Sequence, residues 1–143
     1  MADDEYVFEM RLRSRYEGPD NEPADLALER LEDGSWIPVT LEPTALRFWW
    51  LTAAAFLCHH KYLYVNLAEQ GHRLHRAEGR FVMRVTAGWI VRSLESHFEI
   101  NSATQPSDDE LAFVRERMVG CPISRNFPDA ERSAHVVLQP PPS

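Results

Sequence analysis

Two cysteines in 143 residues are too few for the disulfide framework of a small secreted domain. The N-terminus MADDEYVFEM carries acids where a secretory signal would carry bases, and no cleavable apolar stretch follows it, so the sequence points to a cytoplasmic protein. Net positive charge is missing as well. The 15 basic and 22 acidic side chains leave a formal charge of −7, which disfavours any nonspecific grip on nucleic acid or anionic lipid, and neither is expected as a partner. The longest apolar run, from Ala45 to Cys58, is broken by Arg47 and Thr52 and is too short for a membrane span. There is no internal repeat, and no low-complexity block beyond the closing QPPPS. What remains, with 44% apolar residues, is one globular domain over residues 1–143. Residues 1–5 and 139–143 are expected to be frayed tails.

Periodicity sets out the elements. Tyr6, Phe8, Met10 and Leu12 alternate with Val7, Glu9 and Arg11, which is the pattern of a half-buried strand. After the turn-rich EGPDNEPAD, the segment LALERL is a weaker strand candidate. EDGS followed by WIPVTL then predicts a hairpin with Ile37, Val39 and Leu41 on one face and Pro38 at an edge. From Ala45 the chain is apolar as far as Cys58, regains polarity in HHKYLYVNLAEQ and meets a C-capping signal at Gly71. A helix of about 26 residues, about 40 Å long, is predicted. A helix apolar all round belongs inside a protein, and so small a domain cannot surround one, so a second copy is expected to cover it in a homodimer. Strand alternation returns after Gly79 through Phe81, Met83 and Val85, and again in WIVRSLESHFEI, where Ile90, Leu94, Phe98 and Ile100 share a parity. Ser107 and Glu110 have capping-box spacing at the start of a helix that stops at Gly120, and SAHVVLQ is the last predicted strand. Three strands, a long helix, two strands, a helix and a strand make an α+β layout.

The chemistry rests on the cysteines. Cys58 has Lys61 and Tyr62 at helical spacing after it and Ala54 and Ala55 one turn before it. Lys61 could stabilise a thiolate there, whereas burial alone would leave the thiol inert. Cys121 follows Gly120 and precedes Pro122, a residue suited to the first position of a helix. PISRNF is therefore predicted to open a short helical turn whose free N–H groups face the Cys121 sulfur. Each cysteine taken alone reads equally well as a small buried hydrophobe. Cys58, His59, His60 and Cys121 offer atoms suited to zinc, but adjacent helical histidines diverge by about 100° and cannot converge on one metal with Cys58. No metal and no cofactor is predicted. His72, His75, His97 and His135 are scattered and read as surface or rim residues. Trp36, Trp49, Trp50 and Trp89 read as core or interface anchors.

The long helix with its cysteine in AAAFLC, the two strands after it, the acid-capped helix and the C-P-I-S element from Cys121 to Ser124 together resemble the OsmC/Ohr family, the osmotically inducible and organic hydroperoxide resistance proteins. The resemblance runs from Leu46 to Leu138, and the N-terminal strands match in arrangement only. It implies an intertwined homodimer with the long helices at its centre. It also implies a cysteine-based peroxidase that reduces organic hydroperoxides through a Cys58 sulfenic acid resolved by Cys121 and reset by an external dithiol, which in the hydroperoxide branch of the family is of lipoyl type. Phe48, Trp49 and Trp50 would line the substrate pocket. Two departures stand out. The family carries a glutamate roughly three helical turns before the first cysteine, where this chain has Phe48, and the nearest similar wording, EPTAL from Glu42 to Leu46, falls about a turn too early. The family also brings an arginine from the N-terminal region to the thiolate. Arg11, Arg13 and Arg15 are the candidates, although their shared outer parity reads equally as a solvated face. The opposing reading, favoured by Phe48, is a diverged dimer that binds a small apolar ligand at the subunit interface.

Overall fold

The computed structural model describes residues 5–40 and 46–139. Its elements are β1 (Glu5–Glu17), β2 (Glu22–Glu32), β3 (Ser35–Pro38), α1 (Arg47–Glu69), β4 (Leu74–Thr86), β5 (Val91–Ser102), α2 (Asp108–Val119), a 3₁₀ turn (Ser124–Asn126) and β6 (Glu131–Leu138). The α+β order is the one expected. All the strands lie in one six-stranded sheet, in the order β3-β2-β1-β4-β5-β6. Neighbours pair antiparallel except β5 and β6, whose parallel pairing needs the crossover that α2 provides. Among the described residues no helix is long and apolar enough to cross a membrane.

Both helices cover one face of this sheet, α1 over β1 and β4, α2 beside α1 and against β6. Strand alternation delivers that face: Phe8, Met10 and Leu12 from β1, Phe81, Met83 and Val85 from β4, and Leu94, Phe98 and Ile100 from β5 are all buried. The opposite parity carries ion pairs between strands, Arg11 with Glu29, Arg80 with Glu9 and Arg84 with Glu5.

The strands run further than the sequence pattern suggested. Glu5, expected in a frayed tail, already pairs with Thr86, and the Gln139 amide donates to the Ile100 carbonyl. The start of β4 lies before Gly79 rather than after it. Gly79 sits inside the strand because the Phe98 ring from the paired position on β5 occupies the space a side chain would need. A Cβ built at Gly79 would stand 2.5 Å from Phe98 Cε1. Since Phe98 is buried and cannot swing away, Gly79→Ala is expected to destabilise the protein by about 1–3 kcal/mol, read as a lower urea midpoint. An unchanged midpoint would mean the ring relocates freely.

Helix α1 spans 23 residues and ends as the sequence foretold. Gly71 takes φ +87, its N–H bonds the Ala68 carbonyl, and the His72 N–H reaches back to Leu67, a Schellman motif that satisfies the last carbonyls. The expected start near Ala45, with the hairpin residue Leu41 and the EPTAL acid Glu42, lies outside the described residues. The expectation of a helix enclosed on all sides needs correction for the single subunit. Its inward face holds Phe56, Leu63 and Leu67 but also His59, His60 and Asn66, while Trp50 and Leu57 are 42% and 38% exposed on the outward side. The polarity that returns at His59 and His60 therefore points into the core.

Candidate functional site

The second half of the site is built by the chain reversal after α2. Ser107 caps that helix, accepting from the Glu110 N–H while the Glu110 carboxylate accepts from the Ser107 N–H, the predicted capping box. At its other end Gly120 closes the helix, the Cys121 amide donates to Met118, and the Cys121 carbonyl accepts from Arg125, so that Cys121 to Arg125 wind into the predicted short turn. Within it the Ser124 N–H lies 3.5 Å from Cys121 Sγ, and the Cys121 thiol donates to Ser124 Oγ across 3.4 Å.

Cys58 on α1 meets this turn. Its thiol interacts with Cys121 and with the Ile123 backbone, while the Ser124 N–H serves the Cys121 sulfur. Both cysteines are free, Cys121 fully buried and Cys58 half-buried. The Cys58 thiol is pushed up to about 11, first by burial and next by its hydrogen bond to Cys121, with the Ile123 backbone and the Lys61 charge pulling only weakly the other way. In the reduced subunit Cys58 is therefore a neutral thiol.

Behind Cys121 a polar chain continues into the core. His59, with no exposed surface, bonds Ser124 Oγ through Nε2 at 2.7 Å and Ser96 Oγ through Nδ1 at 2.9 Å. Burial pushes its imidazole down to about 4, so it is neutral and must accept at one nitrogen and donate from the other. Ser124 already accepts from the Cys121 thiol, which leaves its own proton for His59 Nε2 and assigns the remaining ring proton to Nδ1, facing Ser96. The hydrogen bonds thus run in one direction, from Cys121 through Ser124 to His59 and Ser96. His60 turns elsewhere, as helical geometry requires, and bonds the buried Tyr16 hydroxyl at 2.7 Å.

Of the residues singled out from the sequence, the fold brings together Cys58, Cys121 and Lys61. It does not bring in Arg11, Arg13 or Arg15 from the same subunit. Strand parity sends them to the face away from α1, where Arg11 pairs with Glu29 and lies over Trp36, Arg15 pairs with Asp25, and Arg13 is exposed. Nor do Phe48, Trp49 and Trp50 line one pocket, because consecutive helical positions diverge. Phe48 stacks against Phe8 and lies tilted against Trp89, Trp49 is buried edge-on to Phe8, and Trp50 faces outward. His72, read as a rim residue, is buried between Thr104 and Glu110. Sequence reading missed Ser96 and the role of His59. The available signal was a serine at an inward parity of β5, between Leu94 and Phe98, which must find a polar partner in the core.

No family model and no curated protein sequence matches the chain. Among solved structures it is similar to the crystal structure of an OsmC-like protein from Mycoplasma pneumoniae, with a TM-score of 0.54 at 12% identity, covering 96% of this chain and 97% of that one. A protein of Psychrobacter arcticus 273-4 described as an osmotic stress induced and detoxification response protein aligns at 15% identity over 80% of this chain and 87% of its own, with a TM-score of 0.40 that is too low to add weight.

Proposed function

We propose that this chain, whose fold is that of OsmC-like proteins, belongs to the OsmC/Ohr family and is a two-cysteine peroxidase of organic hydroperoxides. The neighbourhood of Cys58 and Cys121, near enough for the second thiol to act on the first, carries this reading, because resolution requires the two sulfurs to meet. The Cys58 sulfur attacks the distal peroxide oxygen, the O–O bond breaks, the alcohol leaves with a proton and Cys58 becomes a sulfenic acid. The Cys121 sulfur then attacks the Cys58 sulfur and expels hydroxide, which takes up the Cys121 proton to leave as water beside the new disulfide. An external dithiol supplies two electrons and two protons to restore both thiols.

The outward stripe of α1, Trp50, Ala54, Leu57 and Lys61, recurs at the spacing of a helix seam and exposes large apolar groups. It fits the same stripe of a second copy, giving a homodimer in which Trp50 and Leu57 form apolar walls near Cys58.

One equivalent of cumene hydroperoxide is expected to produce a two-hydrogen mass loss that joins the Cys58 and Cys121 peptides under non-reducing conditions. Cys58→Ser should abolish peroxide consumption. Equal consumption by wild type and Cys58→Ser would remove the enzymatic reading. The second reading, a diverged dimer that holds a small apolar ligand, draws on the neutral Cys58 thiol and on Phe48 in place of an acid. It predicts no cross-link at all.

A further inference from the structure

The sheet face away from the helices carries a second cluster that shares no residue with the cysteine site. On β5 the inward parity of Leu94, Ser96 and Phe98 sends Glu95 and His97 outward, and the parallel register with β6 sets His135 directly opposite His97. The two imidazoles stack with centroids 4.3 Å apart and planes 10° from parallel. Glu95 Oε1 lies 2.7 Å from His97 Nε2, and one ligand atom from each of the three residues falls within 4.8 Å of the others.

We propose that Glu95, His97 and His135 bind a divalent transition-metal cation of the zinc class. Two imidazoles and one carboxylate suit zinc, copper(II) or nickel(II), whereas calcium and magnesium ask for an all-oxygen shell. Bond lengths of 2.0–2.2 Å place the ligands of a tetrahedral ion roughly 3.3 Å apart. Because imidazole lone pairs lie in the ring planes, the two exposed rings swing out of their stack to converge on the ion. Three protein ligands leave a fourth position for water or an exchangeable ligand. The neighbouring cations are already engaged, Arg84 with Glu5 and Arg80 with Glu9. A bound ion would tie the edge strand β6 to β5 through side chains as well as backbone.

Titration of the full reduced chain with Co²⁺ tests the site. One equivalent is expected to bind at micromolar concentration with visible d–d absorption and no thiolate-to-cobalt charge-transfer band, which separates this site from the cysteines. His97→Ala and His135→Ala, both at exposed positions and checked for folding by circular dichroism, should each weaken binding at least about tenfold. Losing a ligand costs no less than losing an outer partner, which is worth 10–100-fold. Retained affinity in both variants, a thiolate band in place of the d–d spectrum, or no binding at submillimolar metal would each overturn the assignment. None of these outcomes depends on peroxide chemistry.

Discussion

Acidification from pH 7 to pH 4 is expected to cost the protein most of its stability, with His59 and His60 as the principal cause. Both rings are buried, and burial alone pushes each down to about 4 from an ordinary value of 6.5. The folded-state values lie below the unfolded ones, so the unfolded chain binds more protons as the pH drops under 6.5. The stability these neutral rings contribute is intact above pH 6.5 and is lost as pH falls through about 4. At about 1.4 kcal/mol per pH unit, the difference amounts to about 3 kcal/mol for each ring. Together that rivals the 5–15 kcal/mol that holds a typical domain folded. Charging either ring also breaks a chain of hydrogen bonds, since His59 Nε2 accepts from Ser124 and a protonated imidazole can only donate. Urea midpoints by circular dichroism at pH 7, 5.5 and 4.5 should fall steeply. His60→Gln, which can still meet the Tyr16 hydroxyl but does not titrate, should remove about half of that slope. A midpoint independent of pH across this range would rule out the buried imidazoles as the cause.

The same two histidines mark where sequence reading stopped being sufficient. Features settled by a few adjacent residues were legible: the capping box at Ser107 and Glu110, the glycine closure of α1 at Gly71, and the turn opened by Pro122. Strand parity was legible too, and it placed Arg11, Arg13 and Arg15 on an outer face, which is where they lie. The inside and outside of α1 were not. Hydropathy reads His59, His60 and Asn66 as surface and Trp50 and Leu57 as core, yet the subunit does the reverse. The polar groups are satisfied by Ser96, Ser124 and Tyr16, partners far away in the chain that only the assembled sheet brings within reach. Gly79 misled for a related reason: it looks like a strand boundary until the Phe98 ring across the ladder is seen to need its empty side. The pairing of Cys58 with Cys121 was suggested by family resemblance, whereas the hydrogen-bonded chain behind Cys121 had no local signature.

The rate at which Cys58 reacts with an organic hydroperoxide is expected to rise about tenfold for each pH unit from 7 to 10, about a thousandfold in all. Only the thiolate attacks, and with the thiol held up near 11 its ionised fraction grows in proportion to hydroxide over this whole range. Burial and the hydrogen bond to Cys121 both favour the neutral form. Against them stand the Ile123 backbone and the Lys61 charge, too weak together to offset burial, and the arginines of β1 face away. Lys61→Met should slow the reaction further at every pH, while Cys121→Ser, which removes a sulfur partner that favours the neutral form, should shift the profile to lower pH. Raising the pH has its own limit: a neutral buried Cys58 contributes stability that is present below the unfolded thiol value and lost as pH climbs through about 11, so rates are best compared up to pH 10. Stopped-flow peroxide consumption and iodoacetamide alkylation followed over this range should give parallel slopes. A profile already flat at pH 7 would show that the thiolate forms at neutral pH and would overturn the assignment of Cys58 as a neutral thiol.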